Sequence, residues 1–166
     1  SEYRGAFAKN RRNGLGRLTG PRDNATYAGE WFDGLRHGFG RFTDAKTVLE
    51  GSWESGKLHG IGCVHHIERG EYYEGEFQHG KYEGLGELVI RNQYQYRGRM
   101  KRGKPWGVGM KYYCSGEVYR GEFQSGMRHG RGVSIYEGMK YSGNWAFDRY
   151  EGWGCLWNHQ NASIYR

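Results

Sequence analysis

The residues best suited to chemistry in this sequence are three cysteines and seven histidines, and their spacing allows little of it. Cys155 and His159 lie four apart, and Cys63, His65 and His66 cluster earlier in the chain. A structural zinc wants a tetrahedral set of nitrogen and sulfur ligands, and neither group supplies four. The metal reading is therefore a zinc at a dimer interface, with Cys155 and His159 joined by the same pair from a second copy across a twofold axis. No other cofactor is expected. Gly51, Gly56 and Lys57 carry the spacing of a phosphate-binding loop, but Leu58 stands where a Ser or Thr would hold Mg²⁺. The windows from Gly75 to Lys81 and from Gly98 to Lys104 fail in the same way. Such a loop needs that hydroxyl and a following helix. No nucleophile, base and orienting acid share a local signature, so the expectation is a chain that is not an enzyme.

The glycines of those false loops belong to a repeat. One copy reads Tyr27, Gly29, Trp31, Gly34, His37, Gly38, Gly40, and another reads Tyr119, Gly121, Phe123, Gly126, His129, Gly130, Gly132, at identical offsets. Between them come Leu49, Gly51, Trp53; Tyr73, Gly75, Phe77; and Tyr96, Gly98, Met100. Degenerate copies flank the set with Tyr3, Gly5, Phe7 and with Tyr141, Gly143, Trp145. The leading glycine recurs at 5, 29, 51, 75, 98, 121 and 143, at intervals of 22 to 24 residues. A fixed period of this length marks a repeat architecture.

Within a copy, Tyr27, Gly29 and Trp31 sit at i, i+2 and i+4, which in a strand is one face. Gly34, Gly56, Gly80, Gly103 and Gly126 supply the positive φ of a tight hairpin turn, and Asn10 and Asp148 are the usual substitutes. The return strand places Gly38, Gly40 and Phe42 on one face, and aromatic rings are expected to lie on the bare glycine backbone. The histidines 37, 59 and 129 recur beside that glycine and read as structural. A lone hairpin is marginal in water, so hairpins must bury one another. The predicted fold is all-β: an elongated rod of tandem antiparallel β-hairpins forming one continuous twisted sheet, with no helix required. Seven two-strand copies at ~4.8 Å per strand would span roughly 65–70 Å. The whole of 1–166 reads as one array, with copies starting near 3, 27, 49, 73, 96, 119 and 141. Tyr165 falls where an eighth would begin, as in a fragment of a longer array.

The pattern Tyr-x-Gly-x-Trp/Phe-x-x-Gly-x-x-His-Gly-x-Gly resembles the MORN (membrane occupation and recognition nexus) repeat, and the resemblance runs along essentially the entire chain. Its departures are Leu49 for Tyr, Met100 for Trp or Phe, and Asn13, Glu83, Trp106 and Glu151 for His. Chains built almost wholly of such repeats are most like the protozoan cytoskeletal scaffolds of the family. That resemblance implies a cytoplasmic, cytoskeleton-associated setting peripheral to a membrane, cytoskeletal proteins as partners, and zinc at the dimer apex of some apicomplexan members.

Composition bounds the rest. Thirty glycines with only 36% hydrophobic residues argue against an ordinary close-packed globule. Six Trp, fourteen Tyr and seven Phe must supply the burial instead. No apolar run approaches the roughly 20 residues of a membrane span, and no signal-peptide pattern opens the chain. The odd number of cysteines suits free thiols in a reducing cytosol. A net charge of +7 favours an acidic partner. Arg97, Arg99, Lys101, Arg102 and Lys104 form a basic patch, beside acidic Glu50, Glu54, Glu74 and Glu76, that would suit an anionic phospholipid headgroup. Nucleic acid is not an expected partner. Trp145, Phe147, Trp153 and Trp157 enrich the last copy and suggest self-association at a sheet end. The expected function is a non-catalytic scaffold, a rigid homodimeric rod. The alternatives are a receptor for a partner protein tail, laid along an aromatic groove of Tyr27, Trp31, Trp53, Tyr73, Phe77, Tyr96, Tyr119, Phe123 and Tyr141, and a peripheral phosphoinositide-binding module.

Overall fold

In the computed structural model, residues 1–21 and 25–158 are described, together with the backbone of 162–165. The all-β expectation holds: the described residues form fifteen strands and no helix. These are β1 (Glu2–Ala8), β2 (Arg11–Thr19), β3 (Thr26–Phe32), β4 (Leu35–Thr43), β5 (Thr47–Glu54), β6 (Lys57–His66), β7 (Glu71–Gln78), β8 (Lys81–Ile90), β9 (Tyr94–Lys101), β10 (Lys104–Tyr113), β11 (Val118–Gln124), β12 (Met127–Tyr136), β13 (Met139–Ala146), β14 (Arg149–Trp157) and β15 (Ala162–Tyr165). Strands hydrogen-bond in chain order, so each repeat is a hairpin paired with the next. Ser1–Tyr82 and Glu83–Arg166 form two compact units.

Turn chemistry sets the hairpins. Between β3 and β4 only Asp33 and Gly34 intervene, and both take positive φ, 49° and 82°. That pair of angles belongs to the type I′ turn, whose twist matches that of paired strands. Asn10 at 60° and Asp148 at 66° take the glycine's place in the first and last turns. Five of the turns also tie their repeat to the one before. Gly34 N–H donates to Arg12 O at 2.9 Å, Gly56 to Arg36 O at 2.9 Å, and Gly126 to Pro105 O at 3.0 Å.

Register explains the glycines. In the first unit Gly5, Gly16, Gly29, Gly40, Gly51, Gly62 and Gly75 stand opposite one another from strand to strand. In the second the row runs through Gly86, Gly98, Gly109, Gly121, Gly132, Gly143 and Gly154. A Cβ on Gly29 would lie 2.6 Å from Phe39 O, and one on Gly40 would strike the Tyr27 hydroxyl. Gly40 is thus the expected ring bed. Gly38 is not: β3 pairs Gly29 with Gly40 but Glu30 with His37, so Gly38 and Phe39 form a bulge. Gly38 takes φ 56° there, and the Glu30 carboxylate accepts the Phe39 N–H at 2.8 Å. In His-Gly-x-Gly, then, the first glycine bends the strand and the second admits the ring.

Candidate functional site

The rings expected to line an open groove are core instead. Tyr27, Trp31, Trp53, Tyr73, Phe77, Tyr96, Tyr119, Phe123 and Tyr141 are all buried, none more than 4% exposed. They pack edge to face within a repeat, as Tyr27 on Trp31 at 5.0 Å, and between repeats, as Tyr27 on Trp53 at 5.4 Å and Tyr119 on Trp145 at 5.2 Å. Their polar handles are satisfied. Tyr27 Oη donates to Glu30 O at 3.1 Å, Tyr96 Oη to Arg99 O at 2.8 Å, and Trp53 Nε1 to Gly40 O of the preceding repeat at 2.8 Å.

The physical reason for the closure is a lid two residues after each turn. Arg12 lies 4.2 Å from the Trp31 ring centre, Arg36 5.0 Å from Trp53 and Arg128 4.3 Å from Trp145. At the same position Tyr82 stacks on Tyr73 at 3.9 Å and Tyr150 on Tyr141 at 3.8 Å, while Leu58 and Pro105 are buried. Burial pushes the phenols of Tyr27, Tyr96 and Tyr113 up to about 12 and pulls the Arg36 guanidinium below its usual range. Sequence reasoning missed these lids, because their shared signal is a position and not a residue type. Arg128 is the most elaborate of them. It pairs with Glu117 and, at 3.1 Å, with Asp148, and Glu117 also accepts the Ser134 hydroxyl at 2.6 Å.

Accessible apolar surface lies on the other face. The residue between the two glycines of Gly-x-Gly points away from the rings: Leu15, Phe39 and Ile61 in the first unit are 72%, 59% and 63% exposed. Leu85, Val108 and Trp153 hold the same position in the second unit and are equally open. There Gly121, Gly132 and Gly143 floor a hollow of about 670 Å³ with Val108 and Trp153 among its walls and Arg120, Glu122 and Arg131 around it. Bare glycine backbone between apolar walls lets an extended chain approach closely, and the flanking charges give it polar anchors.

Arg97, Arg99 and Lys101 alternate along β9 and are exposed, as are Arg102 in the turn and Lys104 opposite Lys101. The fold therefore brings the basic patch together. Its neighbours moderate it: Arg97 pairs with Glu87 at 3.0 Å, and Lys101 lies over the Trp106 ring at 4.4 Å. In the last copy Trp145 is core and unavailable for association, because it carries the recurring ring position of the repeat and sits under Arg128. Phe147, Trp153 and Trp157 are exposed. The cysteines are free thiols. Cys155 is half-buried, and its expected zinc partner His159 lies outside the described residues.

Comparison with known proteins fits this geometry. The MORN repeat family model matches residues 3–24, 27–46, 50–65, 73–93, 96–118 and 119–138. The seventh hairpin, β13 and β14, keeps the same glycine register, Gly143 opposite Gly154. Alsin of Rattus norvegicus and of Homo sapiens are each 37% identical over 127 residues, 70% of this chain, and the chain spans only 8% of their length. MORN repeat-containing protein 3 of Xenopus laevis is 37% identical over 67 residues, 36% of this chain and 28% of that protein. Among solved structures, the TCP domain of Drosophila melanogaster SAS-4, in complex with a proline-rich motif of Ana2, aligns with a TM-score of 0.54 at 10% identity. That alignment covers 92% of this chain and 83% of that one.

Proposed function

Given that this chain belongs to the MORN-repeat family, a family of interaction repeats, we propose that it is a non-catalytic scaffold that holds an extended segment of a partner protein on its glycine face. The observation that carries this reading is the hollow over Gly121, Gly132 and Gly143, walled by Val108 and Trp153. An accessible apolar patch rimmed by charge is the usual mark of a protein-interaction surface, whereas the aromatic face is spent on packing. In the Drosophila SAS-4 domain a fold of this kind accompanies a proline-rich motif, which favours an extended peptide as occupant. The test is selection of a random peptide library on the immobilised chain, followed by affinity measurement on Val108→Asp/Trp153→Ala. Selected peptides should lose at least tenfold in affinity on that variant with unchanged thermal unfolding. Peptides that bind both proteins equally would place recognition elsewhere.

Self-association is a second reading, favoured by the open rings of Phe147, Trp153 and Trp157 in the final hairpin. Light scattering should then report twice the 19.2 kDa of the chain, returning to a monomer in Phe147→Ser/Trp157→Ser. A monomer at all concentrations in the unaltered chain would remove it. Cytoskeletal placement and phosphoinositide binding belong to the same proposal at a further remove. Five basic side chains along β9, the following turn and the first residue of β10 support the lipid arm, and binding to anionic vesicles should fall steeply with salt.

A further inference from the structure

Three positions of the repeat recur as neighbours: the residue two before the turn glycine, the residue three after it, and the residue before the next turn's glycine. In three other copies, two of these positions carry ring or cation packing. Phe32 lies on His37 at 5.6 Å, His129 on Phe147 at 5.2 Å, and Lys101 on Trp106 at 4.4 Å. In the third copy, within the first unit, the three are Glu54, His59 and His79, and all three side chains are metal ligands by type. Their ligand atoms lie within 4.8 Å of one another. His59 and His79 meet at 5.2 Å between ring centres. His59 Nδ1 is buried and has no hydrogen-bond partner. It does lie 3.3 Å from Glu54 Oε2, close enough for an ion pair but without hydrogen-bond geometry. A buried ring nitrogen left without a partner is costly unless something accepts its lone pair or proton.

We propose that Glu54, His59 and His79 form a divalent transition-metal site, with Zn²⁺ as the fitting ion. Two imidazole nitrogens and one carboxylate oxygen match the His₂Glu donor set that zinc takes with a fourth position left to water. Harder ions such as Mg²⁺ and Ca²⁺ prefer all-oxygen shells. His79 sits in the exposed turn between β7 and β8, and Glu54 is the last residue of β5. Both are exposed, so small side-chain rotations close the set around an ion. His59 is fixed within β6. The ion would clamp the turn of the fourth copy to the hairpin of the third, adding to the Gly80 N–H bond to Leu58 O at 2.7 Å. This site uses neither Cys155 nor His159 and contains no thiolate.

The test is titration of the full chain with ZnCl₂ by calorimetry and with Co²⁺ by visible absorption. One ion per chain is expected, with a tetrahedral Co²⁺ spectrum that lacks a thiolate charge-transfer band. Thermal unfolding should shift upward by about 5 °C at a hundredfold excess over the dissociation constant. His79→Gln and Glu54→Gln lie at exposed positions and should fold normally; each should weaken binding at least tenfold. Cys155→Ser and His66→Gln should leave binding unchanged. Absence of stoichiometric binding overturns the proposal. So does affinity unchanged in His79→Gln, or a thiolate band that Cys155→Ser removes.

Discussion

Two kinds of glycine share one motif, and they differ in what a methyl group would meet. At Gly34 a Cβ has open space but φ is 82°, so Gly34→Ala meets backbone strain alone and should cost about 1 kcal/mol. At Gly40 the same atom would enter the Tyr27 phenol, and Gly40→Ala should cost about 2–4 kcal/mol as an overpacked core does. Urea unfolding of the two variants checks the order, and a larger loss at Gly34 would contradict the ring-bed account. The phenols themselves give a pH signature. Tyr27, Tyr96 and Tyr113 hold their protons to about 12 in the folded chain because burial disfavours the phenolate, whereas an unfolded tyrosine loses its proton near pH 10. Between those values the unfolded chain binds fewer protons than the folded one, so stability is intact below pH 10 and falls as pH rises toward 12. Lys111, pulled below its usual range by burial, acts in the opposite sense, and three phenols outweigh it. Phenolate absorbance should therefore emerge together with loss of near-ultraviolet dichroism in that window.

Each hairpin is defined by which positions must be occupied and by what. The ring at Trp53 reaches back to Gly40 O, a bond that Phe77 and Phe123 cannot make at the same position, so Trp53→Phe should fold and cost about 1 kcal/mol. The lid tolerates chemistry as long as it covers the rings. Because Leu58 fills the position that Arg36 holds one copy earlier, Arg36→Leu should stay within about 1 kcal/mol of the parent. Arg36→Glu, which brings a carboxylate against ring faces, should lose several times as much. Thermal melts of the three variants test both statements. Hairpins, turns and ring beds were legible in the sequence because the same residue types recur at one spacing: Tyr27, Gly29 and Trp31 announce themselves in Tyr119, Gly121 and Phe123. The lids were not, since Arg12, Leu58, Tyr82 and Pro105 have a position in common and nothing else. Nor was the bulge at Gly38 and Phe39, which strict alternation cannot express and which turns the intervening side chain outward.

At the scale of the molecule, the lids and the bulges together decide which apolar side chains stay open to solvent. Covering the rings turns the aromatic stripe into a core. Bending each return strand at Gly-x-Gly leaves Leu15, Phe39 and Ile61 in one unit, and Leu85, Val108 and Trp153 in the other, open to solvent. Sequence reasoning placed recognition on the rings because exposed and buried aromatics read alike without the lid. The measurement that tests the inversion most directly is an amide and indole chemical-shift titration of the labelled chain with a selected peptide. The expected result is perturbation of Gly121, Gly132 and Gly143 and of the Trp153 indole, with the Trp145 indole and the amide of Arg128 unmoved. Shifts concentrated at Trp145, Arg128 and the buried tyrosines would mean that the partner opens the aromatic face, and would contradict the account.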